Sequence, residues 1–539
     1  MKTIYYNGQI YTGELPLQQA FVEENGIFLY AGETDGALKM AEADDMKIDL
    51  NGKFVCAGFN DSHMHVLGYG KTLNQAILAE HTESLEDVLN CLKEFEGKSE
   101  DSGLWLLGRG WNQDYFTDTN RMPNRYDLDR VSTERPISIT RACGHCLVVN
   151  SKALELLGIT EETPSPEGGA IGIENGVLDG RFYDNAMNLV TNELPIPTKE
   201  EVKQMLRTAI KKLNSYGVTS CQSDDYSMCW SLPWQVVNEA YQELEEAGEL
   251  TVRIYEQSNL TTVEDLQAFI DAGNVTGKGS DYFKIGPLKM LGDGALGART
   301  AFLKEPYADD AATCGIPVFT KKQFEDMIGL ANAKGMQVAV HAIGDACLDW
   351  VMDAIEKALN ENPRDDHRHG IVHCQITRPD QLQRIKDLKL HIYAQTIFLD
   401  YDINIVEARV GKELASTSYC WKTLMNNGVV VSNGSDCPVE LPYVMGGIQC
   451  AVTRKPLKDV EGKLVYLPEE AFTVKEAIDS YTTCSAKGSF EENVKGKIQK
   501  GMLADFVILG KNPFETNVNE LKDISVNEVY VGGKKVYEK

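Results

Sequence analysis

The chain has 539 residues, of which 43% are hydrophobic and 25% are charged, values typical of a globular protein rather than a disordered or fibrous one. Its 53 Lys and Arg residues against 80 Asp and Glu residues give a formal net charge of −27. This charge argues against a nucleic-acid-binding surface, because phosphate contacts need clustered basic residues. At this length we expect more than one structural domain.

The chain carries no recognisable targeting segment. The amino-terminal residues lack the apolar run of a signal peptide, and no stretch of about 18 apolar residues predicts a membrane span. The 13 Cys residues, an odd number scattered along the chain, favour reduced thiols over a disulfide framework. These features predict a cytoplasmic protein that has no membrane partner.

Both ends of the chain are predicted to form short β-strands. Near the amino terminus, apolar segments are separated by turn pairs such as Asn7-Gly8 and Asn51-Gly52, and the carboxyl-terminal residues show a similar pattern. Because the two termini of a domain often lie close together, we predict one small β-sandwich domain made from residues 1–55 and 485–539.

Between these ends, short apolar runs alternate with helix-like segments, several of which end at glycine. Such alternation indicates a parallel α/β sheet, and eight runs predict a (β/α)8 TIM barrel over residues 56–484. Residues from about 105 to 190 break the rhythm and are predicted to form an insertion after the first barrel strand. The eight runs are Phe54–Phe59, Val218–Ser223, Val252–Gln257, Phe283–Leu291, Val338–Ile343, Ile371–Ile376, Ile392–Phe398 and Val429–Ser435.

Four of the nine His residues lie at or just beyond the ends of predicted strands. His63 and His65 follow the first strand, where residues two apart point the same way. His341 and His373 end later runs, and Asp436 follows the last one. Barrel chemistry gathers at the carboxyl ends of the strands, and imidazole and carboxylate groups are ligands suited to zinc. The sequence therefore predicts a site for one or two divalent metal ions, with zinc preferred.

Lys289 lies inside the fourth apolar run. A charged ammonium is costly in such a place, and burial lowers the pKa of a lysine. A neutral amine could take up CO₂ and become a carbamate, so that a carboxylated Lys289 would bridge two metal ions. The alternative is a lysine that pairs with an acid such as Asp293.

Three further polar residues are weaker candidates. Glu256 and Gln395 stand at other strand ends, where we expect them to satisfy local hydrogen bonds. Arg299 lies in the long segment after Lys289 and could face an anionic group of a substrate.

With this set of residues the sequence resembles the amidohydrolase superfamily, and within it amidohydrolase family 3, the branch that includes N-substituted formamide deformylases. The resemblance covers nearly the whole chain and rests on passages that include GFNDSHMH, GRGWNQDYF, KMLGDGALGARTAFLKEPYAD, VAVHAIGDACLD, RHGIVHCQ and NGSDCPVE. It implies a barrel with a β-sandwich made from both ends, and a metal centre formed by His63, His65, Lys289, His341, His373 and Asp436. It also implies that His145, in the insertion, contacts the substrate carbonyl.

The resemblance implies a metal-dependent hydrolase that acts on a small-molecule substrate, at a non-peptide C–N bond in an amide, formamide or cyclic amide. In this reading, hydroxide activated by the metal attacks the carbonyl, while Asp436 takes the proton of the water and passes it to the leaving nitrogen. The same site could hydrolyse an ester or lactone, and a catalytically silent scaffold is the other alternative. We expect a monomer or a homodimer.

Overall fold

The centre of the protein is a single sheet of eight parallel strands, each paired with the next along the chain. The computed structural model describes residues 1–98, 105–141, 146–166, 169–194, 196–226, 232–459 and 461–539. In chain order, strands β1 to β8 are Phe59–Met64, Val218–Ser223, Arg253–Asn259, Phe283–Leu291, Val338–Ala342, Gly370–His373, His391–Ala394 and Val431–Asn433. The predicted (β/α)8 barrel is confirmed.

Helices alternate with these strands. Local sequence sets their starts, as at Thr320, whose hydroxyl accepts from the backbone of Gln323 while the Gln323 side chain accepts from the backbone of Thr320. In the described part of the chain, the helices of at least six residues from β1 onwards are Val66–Leu73, Leu85–Lys98, Ser151–Leu157, Lys199–Ser215, Trp234–Glu246, Val263–Asp271, Lys321–Ala333, Asp345–Glu361, Pro379–Asp387, Val406–Ala415, Trp421–Asn426, Val444–Thr453, Val474–Ser480 and Thr483–Gly488. Within the described ranges, no helix combines the length and the apolar character needed to cross a membrane.

The junction between β8 and β1 is made by the residues that follow β8. The backbone N–H of Asp436 donates to the carbonyl of His63 at 2.8 Å, and the N–H of His65 donates to the carbonyl of Cys437 at 2.8 Å. A Cβ atom on Gly434 would lie 2.6 Å from the backbone nitrogen of His63, so only glycine fits there. This close approach draws the first and last strands together at their carboxyl ends.

The two chain ends form two further sheets that enclose a shared core. One contains Ile27–Gly32, Ala20–Glu24, Thr3–Tyr6 and Met46–Asp49; the other contains Gln9–Ile10, Phe54–Ala57, Phe506–Leu509, Val526–Val531 and Lys534–Glu538. Aromatic rings fill the space between the two sheets. The ring centroids of Tyr5 and Phe21 are 4.5 Å apart, and those of Phe506 and Tyr530 are 4.3 Å apart. The β-sandwich predicted from both termini is confirmed.

One strand prediction is wrong. The run Phe54–Phe59 was expected to be the first barrel strand, but Phe54–Ala57 pairs antiparallel with Phe506–Leu509 in the terminal sheet. The barrel starts at Phe59, directly after Gly58. Two buried strands therefore follow one another without a polar break, and the apolar pattern alone does not separate them.

The insertion between β1 and β2 has a sheet and a core of its own. The chain divides into two compact units, the larger built mainly from Met1–Val66 and Pro233–Lys539, and the smaller mainly from Leu67–Thr208. The smaller unit buries Leu106, Trp111 and Ile139 among other apolar side chains. Its six strands, in spatial order, are Gly169–Glu174, Val177–Asp184, Cys146–Val149, Ile137–Arg141, Leu106–Trp111 and Ala76–Ile77.

Candidate metal centre

The predicted histidines converge at the carboxyl ends of the barrel strands. One ligand atom from each of His63, His373 and Asp436 lies within 4.8 Å of the others, and all three residues are buried. The ring of His65 is centred 5.3 Å from that of His63, and the ring of His341 is centred 4.3 Å from that of His373. The structure thus brings together the five residues that the strand-end positions had singled out.

The backbone turns sharply where these side chains are presented. His373, Cys374 and Asp436 have φ angles of 77°, 50° and 58°, in the left-handed region that residues other than glycine rarely adopt. Strands β6 and β8 consequently end earlier than the apolar runs predicted. Strained backbone of this kind is often found at functional sites.

Two glutamines orient two of the histidines. The Oε1 atom of Gln257 lies 2.7 Å from Nδ1 of His63, and the Oε1 atom of Gln395 lies 2.8 Å from Nδ1 of His373. A carbonyl oxygen only accepts hydrogen bonds, so each neutral ring carries its proton on Nδ1. Each ring therefore leaves the lone pair of Nε2 available to a metal ion.

Asp436 meets two imidazole nitrogens. Its Oδ1 atom lies 3.1 Å from Nε2 of His65 and 3.3 Å from Nε2 of His63. The Nδ1 atom of His65 is 2.7 Å from the backbone carbonyl of Asp224, so a neutral His65 also directs a lone pair at the carboxylate. Three acceptors that face one another repel unless a cation lies between them. The nitrogen and carboxylate ligands present suit a zinc ion.

The pKa values reflect this concentration of acceptors. Burial lowers the pKa of His63 to about 4, which favours the neutral form that binds metals. Burial also opposes protonation of His65, but its hydrogen bond to Asp436 and the charge of Asp224 raise its pKa to about 9. Burial disfavours the charged form of Asp436 as well, yet the adjacent imidazoles of His63 and His65 hold its pKa well below the usual range. The site attracts positive charge, and a metal ion would replace the proton of His65.

Comparison with known proteins places the chain in a family. The profile of the amidohydrolase family matches residues 47–537. The chain belongs to the amidohydrolase family. The Bacillus subtilis (strain 168) protein YtcJ is 34% identical to this amidohydrolase over 543 residues, covering 100% of each chain. The N-substituted formamide deformylase of Arthrobacter pascens is 24% identical, covering 97% of this chain and 95% of its own.

A solved structure supports the same conclusion. An uncharacterized metal-dependent hydrolase from Pyrococcus furiosus is 31% identical and superposes with a TM-score of 0.79, covering 96% of this amidohydrolase and 100% of its own chain. The similarity in sequence and in structure therefore extends over the sandwich, the barrel and the insertion together. It identifies the chain as a hydrolase of the metal-dependent superfamily.

Lys289 of this amidohydrolase is fully buried and pairs with Asp224, which the sequence reasoning missed. Its Nζ atom lies 3.3 Å from Oδ2 of Asp224, and the side-chain amide of Asn259 donates to the same oxygen at 3.1 Å. The suggested pairing of Lys289 with Asp293 is wrong. Asp224 follows β2, so its backbone and its carboxylate contact two different residues of the site.

Asp293 instead supports the segment around His341. Its carboxylate accepts from the backbone nitrogens of Ile343 at 3.0 Å and Gly344 at 2.8 Å. The Nε2 atom of His341 lies 3.1 Å from the carbonyl of Gly294 and 3.3 Å from Oδ1 of Asp293. A neutral His341 that donates through Nε2 offers Nδ1 as its ligand atom.

The other predicted residues have different roles: Gln395 contacts His373, as described above, and Glu256 accepts a hydrogen bond from the backbone N–H of Asp225 at 3.0 Å. His145 lies outside the described residues. Arg299 is held by Asp309 through two hydrogen bonds of 3.0 Å and 2.9 Å, so its charge is already paired. Asp61, which the sequence reasoning did not single out, accepts from the backbone and the hydroxyl of Ser435 at 3.0 Å and 2.6 Å, and so ties β1 to the segment that carries Asp436.

Proposed function

We propose that this amidohydrolase hydrolyses a non-peptide C–N bond in a small-molecule amide, formamide or cyclic amide. The observation that carries the proposal is the meeting of Asp436 with the Nε2 atoms of His63 and His65, which are three acceptors facing one another when both rings are neutral, and which attract a cation. The similarity to a relative named as an N-substituted formamide deformylase favours a C–N bond over an ester bond.

The metal would be held by the side chains that gather at the strand ends. His63, His65, His373 and Asp436 offer ligand atoms around one point, and His341 lies against His373. We expect zinc, as one ion or as two if Lys289 is carboxylated. When bound, such an ion lowers the pKa of water from about 15.7 towards 7 and polarises the carbonyl to be cleaved.

The protein's own residues would handle the proton and the substrate. Asp436 stays ionised at neutral pH because the adjacent imidazoles of His63 and His65 hold its pKa low against the opposing effect of burial. Its carboxylate would accept a proton from the attacking water and pass it to the leaving nitrogen. We assign His145 to the substrate carbonyl, where a hydrogen bond would stabilise the developing negative charge.

Formation of a carbamate on Lys289 competes with the ion pair between Lys289 and Asp224, because both use the same nitrogen. An ammonium paired with Asp224 at 3.3 Å is already neutralised, whereas a carbamate would need metal ions to balance two neighbouring anions. Intact mass under non-denaturing conditions, with and without added bicarbonate and metal, distinguishes the two states by the mass of one CO₂.

We further propose that the protein acts in the cytoplasm as a monomer or a homodimer. The support is the odd number of cysteines scattered along the chain, which favours reduced thiols. Light scattering of the purified protein measures the oligomeric state.

The test of the proposed function is a substrate screen with controlled metal content. Protein stripped by a chelator is reloaded with Zn²⁺ or Mn²⁺ and offered N-formyl, N-acyl and cyclic amides beside matched esters and lactones. We expect hydrolysis of an amide class that disappears with the metal and returns with it. Hydrolysis of esters alone would favour the ester or lactone reading, and a protein that binds no metal and hydrolyses nothing would favour the silent scaffold.

A further inference from the structure

Gln257 and Gln395 occupy equivalent places around two different histidines. Gln257 is in β3 and Gln395 directly follows β7, whereas His63 and His373 belong to β1 and β6. Both glutamines are fully buried, and each approaches only the Nδ1 side of its ring, at 2.7 Å and 2.8 Å. The same contact, a glutamine amide oxygen against Nδ1 of a histidine, thus occurs twice and uses different strands each time.

The orientation of each glutamine amide is fixed by a second hydrogen bond. The Nε2 group of Gln257 donates to the carbonyl of Ser62 at 3.2 Å, and the Nε2 group of Gln395 donates to the carbonyl of Tyr393 at 2.9 Å. Rotating either amide by half a turn would place its NH₂ group against the ring and its oxygen against a carbonyl. The oxygen of each amide therefore faces the histidine.

We propose that Gln257 and Gln395 are positioning residues that fix His63 and His373 as tautomers with the proton on Nδ1, so that both Nε2 lone pairs face the metal. The inference rests on the proposed metal centre. Without a partner at Nδ1, a ligand histidine populates both neutral tautomers, and one of them carries a proton on the nitrogen that must bind the metal. Its ring is also free to rotate. Outer-shell partners of this kind change metal affinity by about 10- to 100-fold.

The proposal predicts opposite outcomes for two substitutions at each glutamine. Methionine has a similar volume but no acceptor, so Gln257→Met and Gln395→Met should each weaken Zn²⁺ affinity by about 10- to 100-fold. Glutamate retains an oxygen that accepts from Nδ1–H, so Gln257→Glu and Gln395→Glu should bind Zn²⁺ at least as tightly as the wild type. A role in packing, or as a donor to Ser62 and Tyr393, predicts the reverse order, because glutamate loses the donor whereas methionine fills the space.

A matched control is available at the other end of the barrel. Gln337 is also fully buried and donates to the backbone carbonyls of Arg368 and Gly488 at 2.7 Å and 2.9 Å. Gln337→Met should lower the free energy of unfolding without changing Zn²⁺ affinity. It therefore separates a general loss of stability from a specific loss at the metal centre.

The deciding experiment combines competition titration of Zn²⁺ with ¹⁵N spectra of the imidazoles in metal-free, histidine-labelled protein at neutral pH. We expect the assigned rings of His63 and His373 to carry Nδ1–H in the wild type and in the glutamate variants, and each methionine variant to lose this signal at the ring that its glutamine faces. Glutamate variants that bind Zn²⁺ more weakly than methionine variants, or His63 and His373 protonated on Nε2 in the wild type, would overturn the inference. A wild type that binds Zn²⁺ but hydrolyses no amide would instead overturn the proposed function alone.

Discussion

Buried charged groups lie at both ends of the barrel, and the two ends differ in how their charges are balanced. At the amino ends of the strands, Arg253 binds Asp505 at 2.7 Å and 3.0 Å, and Glu491 lies 2.7 Å from both Lys284 and Lys495. At the carboxyl ends, the short contacts of Asp436 are made with imidazole nitrogens that are themselves acceptors when neutral.

Charged groups at the amino ends of the strands are paired within the chain and stabilise the fold, whereas those at the carboxyl ends are arranged to bind an external cation. Asp505 directly precedes the strand Phe506–Leu509, so its pair with Arg253 joins the barrel to the terminal sheet. The three cations named at that end, Arg253, Lys284 and Lys495, are each paired with an anion of the same chain. The opposite end gathers acceptors around one point, and a protein tolerates such an arrangement where an external cation completes it.

The largest effect should come from removing the acid at the metal centre. Asp436→Asn keeps an oxygen near His63 and His65 but removes the base, so we expect kcat to fall by about 10²- to 10⁴-fold while much of the metal is retained. Metal analysis beside steady-state kinetics on an accepted amide checks both parts. Turnover at the wild-type rate would show that Asp436 is not the proton shuttle.

Breaking the charge balance at the other end should affect stability and not chemistry. Arg253→Met leaves Asp505 buried without its cation, which should lower the free energy of unfolding by about 3–5 kcal/mol. Urea unfolding measures this loss, and the double variant Arg253→Met, Asp505→Asn should recover part of it. Metal content per folded molecule should stay at the wild-type value; a loss of metal would mean that the two ends are coupled.

Acid should lower the stability contributed by the ion pairs at the amino ends of the barrel strands, within a defined pH range. Burial disfavours the ionised form of Glu491, but the charges of Lys495 and Lys284 outweigh it and lower its pKa from 4.5 to about 2. A depressed folded-state pKa contributes stability that is fully present above about pH 4.5 and is lost as the pH falls towards 2, an effect of about 3 kcal/mol. Unfolding of Glu491→Gln should show much less pH dependence over this range, and equal slopes would contradict the assignment.

The smallest effect should arise where β8 meets β1. A methyl group at Gly434 would lie 2.6 Å from the nitrogen of His63 and 2.7 Å from Oδ1 of Asp61, so Gly434→Ala should cost about 1–3 kcal/mol and weaken metal binding. Gly329→Ala is the control, because nothing lies within 4 Å of its added methyl in the helix Lys321–Ala333. That control should be neutral or stabilising by up to about 1 kcal/mol.

The architecture and the convergence of the candidate ligands could be predicted because each depends on a local pattern. The position of His63, His65, His341 and His373 at strand ends follows from apolar runs along the chain, and the barrel topology then brings strand ends to one face. The mistaken placement of Phe54–Ala57 has the opposite origin. Its partner Phe506–Leu509 lies more than 400 residues away, and a buried strand looks alike in a parallel or an antiparallel sheet.

The side chains that contact the candidate ligands could not be predicted, for a related reason. Gln257 bonds to a ring that β1 carries, and Asp224 rather than the nearby Asp293 reaches Lys289. Such choices depend on which way each side chain points at a strand end and on small shifts in register, such as the irregular pairing of β3 with β4. His145 stays a prediction, carried by the resemblance alone.

The junction of β1 with the segment after β8 also constrains how the protein is made. His65 and Asp436 are 371 residues apart in the chain. At a synthesis rate of about 5–20 residues per second, roughly 20 to 75 s pass before the partner of His65 emerges from the ribosome. During that interval the amino-terminal strands also lack Phe506–Leu509, so the aromatic faces around Tyr5 and Phe21 stay uncovered. The terminal sandwich core can therefore close only when the last strands have been made, whereas the candidate metal centre can assemble about 100 residues earlier, once Asp436 has been made.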